Sequence, residues 1–273
     1  MVRGALVGIC AVVVAASSAG CGTGSAAAPT TTVRQLRQFR VVFPEGFTRA
    51  QMAARVEAVS KIAENESHRK VKLSGDGYAA ATARPRRFPG FGPKKLPFEG
   101  FLFPDTYDFD RKSTSAELVQ NQLGEFSSKW GSLDLSYARS KNLTPYDVLT
   151  IASMVEGEAQ VPSERPLVAA VIYNRLRAHM PLGIDATLRY GLHVPPTQSL
   201  TQSDLHNPTP YNTRLHDGLP PTPINNPGMA ALEAAAHPAH VDYLYFVRKP
   251  DHRHHYFTAN YQDFLQHEAQ YGY

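Results

Sequence analysis

Apolar positions along the chain recur mostly at helical spacing and only briefly alternate as strands do. After Thr144-Pro145, residues Val148, Ile151, Ala152 and Val155 fall at i, i+3, i+4 and i+7, which predicts a helix with one buried stripe. Its start is well specified by a capping threonine, a proline at the first helical position and Asp147 three residues after the cap. Met52, Val56, Val59 and Ile62 predict a helix from Arg49 to about Glu64 behind Thr48. Leu118, Leu123 and Phe126 predict another from Ser115 to about Trp130. The run from Leu167 to Ile172 is apolar all round, so a helix from Ser163 to about Arg177 is expected to be central. Shorter helices are predicted over Met229 to Ala236 and Tyr261 to Tyr271. Strand patterns cover Phe39 to Phe43 and a hairpin of Tyr243 to Val247 with Tyr256 to Thr258. Helices and short strands mix without regular alternation and no Gly-rich phosphate loop occurs, so the fold class is α+β.

Between these elements the chain is polar or irregular. The stretch through Ala83 is polar, and Arg84 to Pro97, rich in Arg, Lys, Pro and Gly, reads as an exposed linker or boundary. Phe98 to Tyr107 mixes aromatics with Gly and Pro, as a packed irregular segment does, and Pro- and Asn-rich loops fill Leu192 to Pro227.

The N-terminus has the layout of an export signal: Arg3, an apolar run from Ala5 to Ala16, then small residues leading to Cys21. That run is shorter than the roughly 20 residues of a membrane span. Ser18-Ala19-Gly20-Cys21 resembles a bacterial lipobox, with Ser18 where Leu is usual. Lipidation of Cys21, retention as a signal anchor and plain secretion all stay open. Cys10 and Cys21 are the only cysteines, so cleavage before Cys21 leaves one and allows no disulfide. Gly22 to Thr32 is a Gly/Ser/Ala/Pro/Thr tether.

Composition changes this picture little. With 42% hydrophobic and 19% charged residues the chain is ordinary globular material. A net charge of +4, with no Lys/Arg stripe interleaved with aromatics, gives no support for nucleic-acid binding.

Candidate chemistry centres on Glu156 and Glu158. Taking the apolar stripe as zero, they lie roughly 80–100° to either side of it, so they do not face each other on one helix. Geometry leaves them near equals, with one bordering a cleft and the other solvated or salt-bridged. A partly desolvated carboxyl holds its proton to higher pH and can act as an acid. The histidine-rich Asp251 to His255 lacks a zinc-ligand spacing and reads as a polar turn, so no metal is expected. No Gly-x-Ser-x-Gly elbow marks a serine nucleophile.

Several motifs occur in one order: Phe98 to Tyr107 (FEGFLFPDTY), Ile151 to Glu158 (IASMVEGE), Tyr173 to Arg177 (YNRLR), Asp185-Ala186-Thr187, Tyr211-Asn212-Thr213, Gly218 to Pro221 (GLPP) and Tyr243 to Val247 (YLYFV). In this the chain resembles the YceG-like endolytic murein transglycosylases of the MltG type. The resemblance implies non-hydrolytic cleavage of peptidoglycan glycan strands at the MurNAc-GlcNAc β-1,4 bond, leaving 1,6-anhydroMurNAc ends. A hydrolytic glycosidase and a non-catalytic envelope scaffold are the alternatives. The family's catalytic glutamate maps to Glu156, with Asp185, Thr187, Tyr211, Asn212 and Thr213 lining the cleft and Glu99 near it. No cofactor is implied. Implied partners are glycan strands, cell-wall synthases and the membrane, with the protein at the outer face of the cytoplasmic membrane. The domains expected are a signal or anchor (1–21), a tether (22–38), a truncated LysM-like strand-helix subdomain with linker (39–95) and a YceG-like catalytic domain (96–273).

Overall fold

Four helices begin with the same reciprocal cap, in which a threonine hydroxyl accepts from the third backbone N–H and that residue's side chain accepts from the threonine N–H. They are α1 (Arg49–Ser67, Thr48 with Gln51), α3 (Ser115–Gly131, Thr114 with Glu117), α5 (Pro145–Glu158, Thr144 with Asp147) and α8 (Gln202–Leu205, Thr201 with Asp204). The remaining helices are α2 (Gly75–Ala81), α4 (Ser136–Ser140), α6 (Arg165–Arg177, after a 3-10 turn at Pro162–Glu164), α7 (Asp185–Leu192), α9 (Met229–Ala236) and α10 (Tyr261–Tyr271). The computed structural model describes residues 37–272. The signal segment, Cys21 and nearly all of the tether lie outside the described residues.

The described chain is α+β, with two small antiparallel sheets among the described residues. β1 (Phe39–Val42) pairs with β2 (Thr106–Phe109), and β3 (Tyr245–Arg248) with β4 (His255–Thr258). The first pair runs across the division expected at residues 95 and 96, and the described residues form one compact unit.

Helix α5 is the centre of the fold. Every residue from Val148 to Val155 is buried, not only the predicted stripe. One side packs on α9, where Ala231, Ala234, Ala235 and Ala236 are buried, and another on α6. Alanines let two helix backbones approach closely, which is why this short, featureless segment becomes the main partner of α5.

Three expectations are corrected. In α1 the buried positions are Met52, Val56, Ser60 and Ala63, while Ile62 is exposed, because the contact face follows the helix's own rotation and takes small residues against α2. The polar stretch before Ala83 contains α2, capped by Ser74. The linker from Arg84 to Pro97 is irregular, yet Phe88 and Phe91 are buried. Phe88 stacks on Phe101 with centroids 3.6 Å apart, and Phe91 meets the same ring edge-on at 4.8 Å. Each buried ring is worth about 2 kcal/mol, enough to hold a Pro/Gly-rich stretch against the core.

Candidate active site

A cleft of about 1430 Å³ opens beside the last turn of α5. Its walls come from the 182–186 loop and α7, the β3–β4 hairpin, the 222–225 loop, and Pro97 to Glu99 with the start of α1. Glu158, the last helical residue of α5, lines it and is 9% exposed. Its Oε1 accepts from the Ala186 N–H at 3.3 Å, and Oε2 has no partner among the described residues. Burial, then the neighbouring Asp185 carboxylate, raise its pKa. The negative end of the α5 dipole adds to the same effect. Burial thus favours the protonated form of this carboxyl, while one oxygen remains open.

Glu156 is placed elsewhere, and this corrects the expectation that it faces the cleft. The helical wheel turns it to the opposite flank, where its Oε2 accepts from the Gly228 N–H at 3.1 Å and Oε1 lies 3.8 Å from Arg165 Nη2. The two side chains are only 8% and 13% exposed, and Glu156 is not part of the cleft wall. Burial raises its pKa too. Neither glutamate is solvated; Glu156 ties α5 to α6 and α9.

The other expected residues divide in two. Asp185, Tyr211 and Glu99 line the cleft. Asp185 pairs with Arg214 at 2.5 Å, and Tyr211 packs edge-on to Tyr190 at 5.1 Å while its hydroxyl meets Thr222 Oγ1 at 2.9 Å. Thr187, Asn212 and Thr213 do not line it. They are buried behind the wall, where polar side chains are spent on backbone groups. Thr213 Oγ1 accepts from the Ile184 N–H and meets Thr187 Oγ1, each at 3.0 Å. Asn212 Nδ2 donates to the Leu205 and Asn207 carbonyls. Thr187 and Thr213 thus fix the loop that carries Asp185, and Asn212 holds its own segment to the 205–207 turn.

Glu99 is 5% exposed, and both of its oxygens are engaged. Oε1 accepts from the Arg49 N–H at 2.8 Å and Asn226 Nδ2 at 2.9 Å, and Oε2 from the Tyr190 hydroxyl at 3.0 Å. Burial outweighs these donors and raises its pKa from 4.5 to about 7. The folded state therefore holds this proton more tightly than the unfolded chain. Between these two values stability falls as pH rises, by about 3 kcal/mol in all. Glu99→Gln is expected to abolish that share: chemical denaturation at pH 5 and pH 8 should show the wild type losing more stability on going to pH 8 than the variant does. Equal losses overturn the assignment.

The polar turn expected at Asp251 to His255 is correct only in part. Asp251 accepts from the Arg253 and His254 N–H groups, but His255 is buried at the cleft wall. Its backbone N–H lies 3.0 and 3.2 Å from the Glu164 carboxylate oxygens, and its Nδ1 2.8 Å from Glu164 Oε2. Nothing in the sequence pairs residues 164 and 255. Among the described residues no group of three His, Cys, Asp or Glu is placed to hold a metal ion.

The YceG-like family pattern matches residues 23–270, which include every residue named in this site. The chain belongs to the YceG-like family. An endolytic murein transglycosylase of Bacillus subtilis (strain 168) is 39% identical over 157 residues, which cover 57% of this chain and 43% of that protein. One of Streptococcus pneumoniae (strain R6) is 34% identical over 170 residues, covering 60% and 30%. The chain thus matches less than half the length of these curated relatives. A crystal structure of a yceG-like protein from Listeria monocytogenes superposes with a TM-score of 0.64 at 28% identity, covering 83% of this chain and 75% of that one. In this family member, the cleft and its buried terminal glutamate of α5 lie inside the shared region.

Proposed function

We propose that the chain is an endolytic peptidoglycan lytic transglycosylase in which Glu158 acts first as acid and then as base. One observation carries the choice of residue. Of the carboxyls that line the cleft, Asp185 is paired with Arg214, Glu99 has both oxygens engaged and Glu268 is partly exposed on α10. Glu158 is buried, pressed to hold its proton, and retains an oxygen open to the cleft. The activity is supported by family membership and by the two endolytic murein transglycosylases that the chain matches over this stretch.

In this reading the protonated Glu158 gives its proton to the oxygen linking MurNAc C1 to GlcNAc as that bond breaks. The C6 hydroxyl of the same MurNAc bonds to C1, and its proton passes to the Glu158 carboxylate, restoring the acid. No water is consumed, and the new end is 1,6-anhydroMurNAc. Hydrolysis requires a second carboxylate to activate water, and Glu99, the other buried candidate, has no oxygen to spare.

Digestion of purified glycan strands followed by mass spectrometry tests the reaction. Anhydro ends are expected; reducing ends mean hydrolysis, and no cleavage means a scaffold. The export-like N-terminus supports anchoring at the outer face of the cytoplasmic membrane through lipidated Cys21 or the apolar segment, where nascent strands leave the synthases. The LysM-like reading of residues 39–95 is part of the same proposal, supported by the order of β1 and α1.

A further inference from the structure

The β3–β4 register sets Arg248 directly opposite His255. Directly paired residues project from the same face of a hairpin, about 5 Å apart. Phe246 and Phe257 form the next pair on that face and pack on the His255 ring at 5.3 and 6.0 Å. Both Arg248 and His255 line the cleft, and both bear electrostatically on Glu158.

The arginines of the lining differ in what they do. Arg175 donates to the Pro181, Leu182 and Leu244 carbonyls, Arg189 to those of Pro195 and Gln198, and Arg49 to Thr82 Oγ1, while Arg214 pairs with Asp185. The Arg248 side chain has no hydrogen bond or ion pair among the described residues, although the residue is half-buried. His255 is held by Glu164 through its main chain and Nδ1, and its Nε2 has no partner among the described residues. The Glu164 carboxylate balances any charge on His255, which leaves Arg248 as the unanswered cation. Placed near Glu158, it works against the proton that the acid must hold. A guanidinium in that position has a purpose once an anion from the substrate lies against it.

We propose that Arg248, flanked by His255, forms a carboxylate-binding subsite beside Glu158 that reads the acidic substituent on the substrate's muramoyl residue. This rests on the peptidoglycan reading above. MurNAc carries a 3-O-lactyl group that ends either in its own carboxylate or in a peptide stem bearing carboxylates. The planar guanidinium fork suits either as a bidentate partner. Binding there also cancels the field of Arg248 on Glu158, so the acid is more fully protonated when the correct strand is in place.

Three preparations of glycan strand separate the sources: strands with intact stems, strands stripped by an amidase to the lactyl carboxylate, and strands whose carboxyls are all converted to neutral methylamides. Arg248→Ala is expected to lower kcat/KM about 10- to 100-fold on the stemmed strands, the stripped strands or both, according to which carboxylate is read. On the neutral strands the variant should show no loss and cut at least as fast as wild type, since the unanswered guanidinium beside Glu158 is gone. Arg248→Lys should recover part of the loss, since it keeps the charge without the fork. Equal rates for wild type and Arg248→Ala on all three substrates, or the same loss on the neutral strands, overturns the subsite. Binding of the three strands to Glu158→Gln, with and without Arg248→Ala, gives a readout independent of cleavage. If the wild type cuts nothing yet charge-dependent binding through Arg248 remains, the lytic reading fails and the subsite stands.

Discussion

Glu158→Gln is expected to reduce strand cleavage at least about 1000-fold while leaving the circular dichroism spectrum and thermal midpoint unchanged or slightly improved. General acid-base groups contribute typically 10²–10⁴ in rate, and here one group serves both steps. The fold should not suffer, because burial already disfavours charge at this position and a neutral amide fills the same volume. The same physics sets the wild-type pH profile. The acid must be protonated, so kcat should fall as pH rises through its raised pKa. Glu156→Gln provides the contrast. It removes the anion beside the largely buried Arg165 guanidinium, so a loss of about 1–3 kcal/mol in stability is expected, with activity within about 10-fold of wild type. Cleavage assays on the two purified variants decide the matter. An active Glu158→Gln with an inactive, folded Glu156→Gln transfers the role to Glu156.

The largest stability effect is expected at Asn226, which is fully buried and uses its whole side chain. Oδ1 accepts from the Gly100 and Leu102 N–H groups, both at 2.9 Å, and Nδ2 donates to the Phe47 carbonyl and Glu99 Oε1, also at 2.9 Å. One amide thus joins the turn before α1, the irregular segment after Phe98 and the loop before α9. Leucine has nearly the same shape and none of these bonds. It leaves two buried N–H groups unpaired and removes a donor from a buried carboxyl, at about 1–3 kcal/mol for each group stranded. Asn226→Leu should therefore lose about 4 kcal/mol in chemical denaturation and lower the thermal midpoint by roughly 10 °C. Asn226→Asp keeps the acceptor for both N–H groups but sets a second carboxyl against Glu99. Its deficit should shrink as pH falls, because one shared proton relieves the repulsion. A Leu variant as stable as wild type would show that water replaces the amide.

The helices written in strong local chemistry were legible. Thr144-Pro145-Tyr146-Asp147 specifies the start of α5 by groups three residues apart, and the observed cap uses those atoms. The elements missed, α2, α4, α7, α8 and β2, are short, four to eight residues each, too short for periodicity to show; α2 is held by packing on α1 and α3. Phe88 and Phe91 sit in a sequence that reads as linker because their partners, Phe101, Phe126 and Trp130, lie 10 to 39 residues away.

The same division holds at the site. Helical periodicity alone set Glu156 and Glu158 on opposite flanks of α5, since residues two apart on a helix cannot share a face. Which flank meets the cleft depends on what α7, α9 and the β3–β4 hairpin cover. Glu156 is closed off by Gly228 and Arg165, from segments 72 and 9 residues away, and Glu158 faces open space beside Ala186. The pairs Asp185–Arg214 and Glu164–His255, and the face shared by Arg248 and His255, likewise join distant segments. Local sequence fixed the helices, the caps and the two carboxyls, because those follow from bonds spanning three or four residues. Tertiary packing decided which of the two buried carboxyls lines the cleft and which is closed off, because desolvation and access are properties of whatever surrounds a group and not of its neighbours in the chain.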